Sequence, residues 1–259
     1  MRRTGCSQGR QLQLARDAGA LARLPIDLTA SAIRLTCYGE FATAAASIAE
    51  ADAITEATQT RMAATGAPLL AAFRGLLPEA TSLIESTITD ATAGGQGIAV
   101  QYTQWVAAIL YNGLGRYEQA LTAAQQASGD TPELFLSAWA LPELVEASVR
   151  SGNSQLGADA LERLAEATAT GGTDWALGIE ARSRALLSEG ETAENLYHEA
   201  TDRLMRTRLR SELARAHLLY GEWLRREGRR ADAREQLARH RPLHARHDRH
   251  GGVRRSRPP

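Results

Sequence analysis

The chain has 259 residues and a mass of 27.9 kDa, and its 30 basic residues balance 30 acidic ones. All 30 basic residues are arginine. The absence of lysine excludes a P-loop of the form GxxxxGK[ST], a Schiff-base mechanism and a protein-kinase site, each of which needs a lysine amine. Alanine supplies 48 residues against 13 Phe, Trp and Tyr combined, a composition that favours helix over strand. With 44% hydrophobic residues the chain can bury a large core, as one extended or two compact domains.

At the N-terminus, Met1-Arg2-Arg3 is followed by Thr4-Gly5-Cys6-Ser7-Gln8-Gly9, where an export signal would need an apolar stretch. The longest apolar run, Trp105 to Tyr111, is far shorter than the ~18 residues of a membrane span. Cys6 and Cys37 are too few and too far apart for a disulfide framework or a zinc site. A reducing, cytoplasmic location is expected.

Glycines punctuate the rest at Gly39, Gly75, Gly115, Gly152, Gly190 and Gly228, with spacings of 36, 40, 37, 38 and 38 residues. Each is predicted to join two helices. Around Gly39, Ala32 and Leu35 precede the turn and Phe41, Ala44, Ile48 and Ala51 follow it. Pro68 and Ala71 precede Gly75, and Leu77, Ala80 and Ile84 follow. The third unit has Ala108 and Tyr111 before Gly115, then Tyr117, Ala120, Ala124 and Ala127. The fourth has Val145 and Ser148 before Gly152, then Gly157, Leu161 and Leu164. The fifth is irregular: Ser183 and Leu186 precede Gly190, and its following stripe, Ala193, Tyr197, Ala200 and Leu204, is out of step. The sixth has Gly221 and Leu224, then Gly228, Ala233 and Leu237.

These intervals of three and four residues place the apolar positions on one stripe of a helix. Glycine permits the left-handed backbone that ends a helix, and small residues on both sides let paired helices approach closely. A single short hairpin cannot bury its stripe, so the units must stack. The offsets resemble those of the tetratricopeptide repeat, whose period is about 34 residues. The likeness is closest over Tyr111-Asn112-Gly113-Leu114-Gly115-Arg116-Tyr117-Glu118-Gln119-Ala120-Leu121, with Pro132 where that family's closing proline falls. The expected fold is all-α, with tetratricopeptide-like hairpins over residues 1–237 stacked in a right-handed superhelix and a basic tail over 238–259.

Four stretches resemble the C-terminal helical region of large ATP-binding LuxR-type transcriptional regulators of high-GC bacteria: residues 104–117, 138–147, 175–187 and 215–226. The resemblance covers roughly residues 10–237, and the all-arginine usage fits a GC-rich genome. It implies a sensor arm lying between a nucleotide-binding module and a helix-turn-helix that reads DNA. Here no P-loop precedes the repeats and no LTxRE-type helix-turn-helix follows them, so no ATPase or DNA-binding residue carries over. The expectation is a truncated regulator that senses an effector or partner and does not itself bind nucleic acid; a free-standing tetratricopeptide adaptor is the alternative.

In tetratricopeptide proteins the concave groove is lined at about −13, −10, −6 and −3 from the turn glycine; by that resemblance the groove residues are Tyr102, Trp105, Ile109 and Asn112, then Trp139, Glu146 and Val149, then Glu180 and Arg184, then Glu222 and Arg225. Such a groove would take a protein, a peptide or a small effector. Trp, Tyr and Arg are common binding hot spots, although the burial preference of tryptophan favours core over groove for Trp105 and Trp139. No HExxH, GxSxG, CxxC or GxGxxG motif occurs; His217 has no carboxylate or nucleophile at motif spacing, and His198 lies on a helix among Glu194, Glu199 and Asp202, where a solvated face is expected. No cofactor and no enzymatic activity are expected. Glu180/Arg184 and Glu222/Arg226 read as surface pairs within single helices.

The tail at 238–259 carries seven Arg, four His and one Asp, leaving a net negative body. Three readings compete for it. Arg254-Arg255-Ser256-Arg257 could contact phosphates; His240, His244, His247 and His250 could share a helix face for a metal, against which Pro242 and Gly251-Gly252 argue. The favoured reading is the third: a frameshift near Leu237 in GC-rich DNA gives the same composition with no selected function.

Overall fold

The structure is a computed structural model that describes residues 23–59, 63–129 and 134–240. Among them are twelve helices and no strand. They pair as six hairpins: α1 (Leu24–Cys37) with α2 (Phe41–Thr58), α3 (Gly66–Arg74) with α4 (Leu77–Ala93), and α5 (Gly97–Gly113) with α6 (Tyr117–Ala127). Then follow α7 (Leu134–Arg150) with α8 (Ser154–Ala169), α9 (Asp174–Leu186) with α10 (Gly190–Met205), and α11 (Arg210–Arg226) with α12 (Arg230–His240). The first helix of each hairpin also packs on the first helix of the next. This is the expected all-α stack of helical hairpins.

All six ladder glycines have positive φ, from 56° at Gly190 to 79° at Gly152. Five close their helix by one device. At Gly115 the glycine N–H donates to the Asn112 carbonyl (3.1 Å), and the Arg116 N–H reaches the Tyr111 carbonyl (2.9 Å). This is the Schellman closure that satisfies carbonyls at a helix end. Gly190 differs: α9 ends through Leu187 and Ser188, and Gly190 is itself the first residue of α10, whereas the other second helices begin two residues after their glycine. That explains the shifted stripe, whose Ala193, Tyr197, Ala200 and Leu204 are all fully buried.

The helices touch where the residues are small. Ala32, Pro68, Ala108, Val145, Ser183 and Gly221, each seven before a turn glycine, are all buried. A methyl added to Gly221 would lie 2.8 Å from Leu237 Cγ, and one on Gly178 would lie 2.9 Å from Leu204 Cγ. Facing residues Ala44, Ala80 and Ala120 are fully enclosed. Replacing Ala120 with leucine is therefore expected to overpack the third hairpin and cost ~1–3 kcal/mol, read as a fall in the urea midpoint at unchanged slope.

Two expectations shift. Helix α12 runs to His240, beyond Leu237, supported by an Arg239–Glu235 pair at 2.6 Å. The remainder of the tail and Cys6 lie outside the described residues. In addition, six hairpins bring α11 back against α1, so the superhelix meets itself within one turn.

Candidate functional site

The tight curvature determines what lies inside. Helices α5, α7, α9 and α11 converge on the axis, and side chains from them meet there. Arg215 of α11 forks onto Glu146 of α7, with Nη2 to Oε1 at 2.5 Å and Nε to Oε2 at 3.1 Å. A methyl placed on Gly113 of α5 would lie 3.9 Å from Arg215 Nη1, so that guanidinium also lies beside α5. Arg150 of α7 pairs with Glu222 of α11, and Arg182 of α9 pairs with Glu212 of α11 at 2.8 Å. Asn112 Nδ2 donates to the Glu143 carboxylate (2.8 Å) and to the Glu143 backbone carbonyl (3.0 Å). Glu143, Glu146 and Arg182 are all buried.

Four carboxylates, of Glu143, Glu146, Glu212 and Glu222, thus face three guanidinium groups, of Arg150, Arg182 and Arg215. Among the described residues Glu143 is the one of the four acids that makes no ion pair. Burial raises its pKa; the Arg215 charge opposes this, Glu146 adds to it, and Arg182 and the Asn112 hydrogen bond oppose it. For Arg215 burial disfavours the charge, but Glu146 and Glu143 outweigh it and hold the pKa above the arginine norm.

A pH dependence follows. The folded-state pKa of Glu143 lies above that of the unfolded chain, so folding takes up a proton as pH falls through the folded value, and stability contributed by this group rises on acidification. Glu143→Gln keeps an acceptor for Asn112 and removes the buried charge. The variant is expected to have the higher urea midpoint at neutral pH, with its advantage shrinking as the pH falls towards the ordinary carboxylate range. A difference that is constant with pH would place the burial cost on another group.

The residues expected to line a groove fall into separate groups. Asn112, Glu146 and Glu222 join the axial network, paired with residues of the chain itself. Tyr102, Trp105 and Trp139 form an aromatic row, with ring centroids 5.3 Å and then 5.4 Å apart. In it Tyr102 and Trp105 are buried, while Trp139 is 36% exposed. Glu180 pairs with Arg184 along α9, but the pair is not the surface one expected: Glu180 is buried and accepts a hydrogen bond from Thr168. Arg225 is exposed in the last turn of α11. Glu222 does not pair with Arg226 along its own helix as expected; it reaches across to Arg150. His217 is buried, with Nδ1 2.8 Å from Gln236 Oε1. His198 is exposed, with Nε2 3.0 Å from the Tyr220 hydroxyl, which in turn donates to Glu194.

Sequence reasoning missed Glu143, Arg150, Arg182, Glu212 and Arg215. One signal was available: Arg215 stands 13 before Gly228, the offset that picks Tyr102 before Gly115. The pairing partners carried no such signal, because they depend on how tightly the stack curves.

Among the described residues no group of three His, Cys, Asp or Glu side chains is arranged to hold a metal, and no helix is long and apolar enough to cross a membrane. The chain matches no known protein-family model and no curated protein.

Proposed function

We propose that this chain is a non-catalytic helical-repeat arm that senses an effector or partner and transmits the event mechanically, of the kind found in LuxR-type ATP-dependent regulators of the cytoplasm. One observation carries the reading. The four stretches that resemble such regulators fall on α5, α7, α9 and α11, and they contain Asn112, Glu143, Glu146, Arg182, Arg215 and Glu222. The segments that carry the family likeness thus supply six of the eight residues of the charged axis, and Arg150 and Glu212 lie three residues outside them. A buried polar network is a costly way to fill a core, and it suits an element that must exist in two arrangements. On this reading DNA is engaged only through a module outside the described residues.

The test is the flanking DNA. An ATPase module encoded upstream and a helix-turn-helix downstream, in any frame, are the expected finding; intergenic DNA on both sides would overturn the regulator reading. A stand-alone adaptor is the second reading, favoured by the exposed face of Trp139 beside the buried Trp105. In that case a peptide or protein would bind there, and no gene would be regulated.

A further inference from the structure

The contact between the first and last hairpins differs in kind from every junction between successive hairpins. Successive hairpins share apolar clusters: Leu35 and Leu70 join hairpins one and two; Leu69, Trp105, Leu144 and Leu164 run through hairpins two to four, with Leu186 and Leu187 of hairpin five packed against them; Tyr197, Leu219 and Trp223 join hairpins five and six. No apolar cluster among the described residues joins α1 to α11. The seam there is polar. Ser211 Oγ donates to the Cys37 carbonyl at 2.9 Å. Arg208, in the turn before α11, pairs with Glu40 at 3.1 Å, and its guanidinium carbon lies 4.6 Å over the Tyr38 ring. The Arg208 and Glu40 side chains are 69% and 43% exposed. Exposed ion pairs and cation–π contacts are individually weak, and salt screens the ion pair.

Behind this seam lies charge. Arg182–Glu212 and Arg215–Glu146 both involve α11, the helix that carries one side of the seam. If α11 moved away from α1, water would reach groups that hydrate readily, whereas parting an apolar junction exposes hydrocarbon. The least stable junction is where a structure opens first.

We propose that the α1–α11 seam is a salt-sensitive latch, and that the solenoid converts between a closed turn and an opened one by releasing Arg208 and Ser211 while the hairpins stay folded. The latch belongs to the fold and stands whether or not the chain is a regulator's arm.

The experiment places spin labels on the outer helices of the first and last hairpins, at Ala53→Cys and Arg234→Cys, both exposed positions, in a full-length Cys6→Ser background. Cys37 is kept, because it belongs to the seam and burial pushes its thiol up to about 12, which leaves little reactive thiolate. Pulsed dipolar measurements at about 0.05 M and about 1 M salt compare screened with unscreened conditions. A second, longer distance should appear and grow with salt, and should dominate in Arg208→Glu, where Glu40 becomes a like-charge neighbour. Adding Glu40→Arg to that variant should restore the short distance. Helix content by circular dichroism should stay level throughout. A single distance in all four samples would overturn the proposal. So would a long distance that appears only together with loss of helix, since that reports unfolding and not opening.

Discussion

Replacing Arg215 with methionine is expected to cost about 3–5 kcal/mol, the usual penalty for removing one partner of a buried ion pair. The side chain is 18% exposed, and its partner Glu146 is 5% exposed with both oxygens committed to Arg215. Glu143 leans on the same guanidinium, since the Arg215 charge is the largest influence holding down its burial-raised pKa. Loss of Arg215 therefore leaves two buried carboxylates facing each other without the cation between them. For a chain of this size the melting temperature should fall by roughly 6–20 °C. The cause can be separated from lost packing: adding Glu146→Gln and Glu143→Gln to the methionine variant should recover a large part of the loss, because the penalty is stranded charge and not the missing hydrocarbon. A single variant that loses less than about 1 kcal/mol, with no coupling in the cycle, would show an axis open to water.

The same axis shows where the sequence was readable. Turn glycines are readable because a left-handed residue closes a helix in only a few ways, and five of the six were used alike. Small residues seven before each turn are readable because two helices that touch leave no room there; Gly221 against Leu237 shows how little. Gly190 showed as an irregular stripe, but that it opens α10 required the backbone. Gly95 and Gly172, with φ of 65° and 51°, take the left-handed conformation between hairpins and were not singled out, since their neighbours lack the alternating stripe. Side-chain partners were the least readable. Glu222 has an arginine four residues on at Arg226, the local geometry that supports helical pairs. It turns instead to Arg150, 72 residues away, because α7 and α11 meet across the axis. Only the curvature of the whole stack decides between the two, and curvature accumulates from small rotations at each hairpin. A groove lined by Asn112, Glu146 and Glu222 would have needed a wider turn of the superhelix; in the tighter one these residues satisfy each other's neighbours.

The tryptophans separate fold from function. Trp105 is 9% exposed and sits in the main core with Val106, Leu110 and Leu144, its ring 5.3 Å from Tyr102 and 5.4 Å from Trp139. Trp105→Ala removes a large buried side chain from a packed core that can close the space only in part, so about 3–5 kcal/mol of stability should be lost. Trp139 keeps a third of its surface in solvent. Trp139→Ala should cost about 1 kcal/mol, chiefly the ring contact with Trp105. Chemical denaturation of the two variants side by side gives the ranking, and near-ultraviolet circular dichroism reports whether the aromatic row survives. Because Trp139→Ala leaves the fold nearly intact, any binding partner it loses is lost at the surface. Trp105→Ala cannot make that distinction, since its binding defect and its folding defect arrive together. If Trp139→Ala proved as destabilising as Trp105→Ala, both rings would be structural, and the exposed end of the aromatic row would have no claim as a recognition surface.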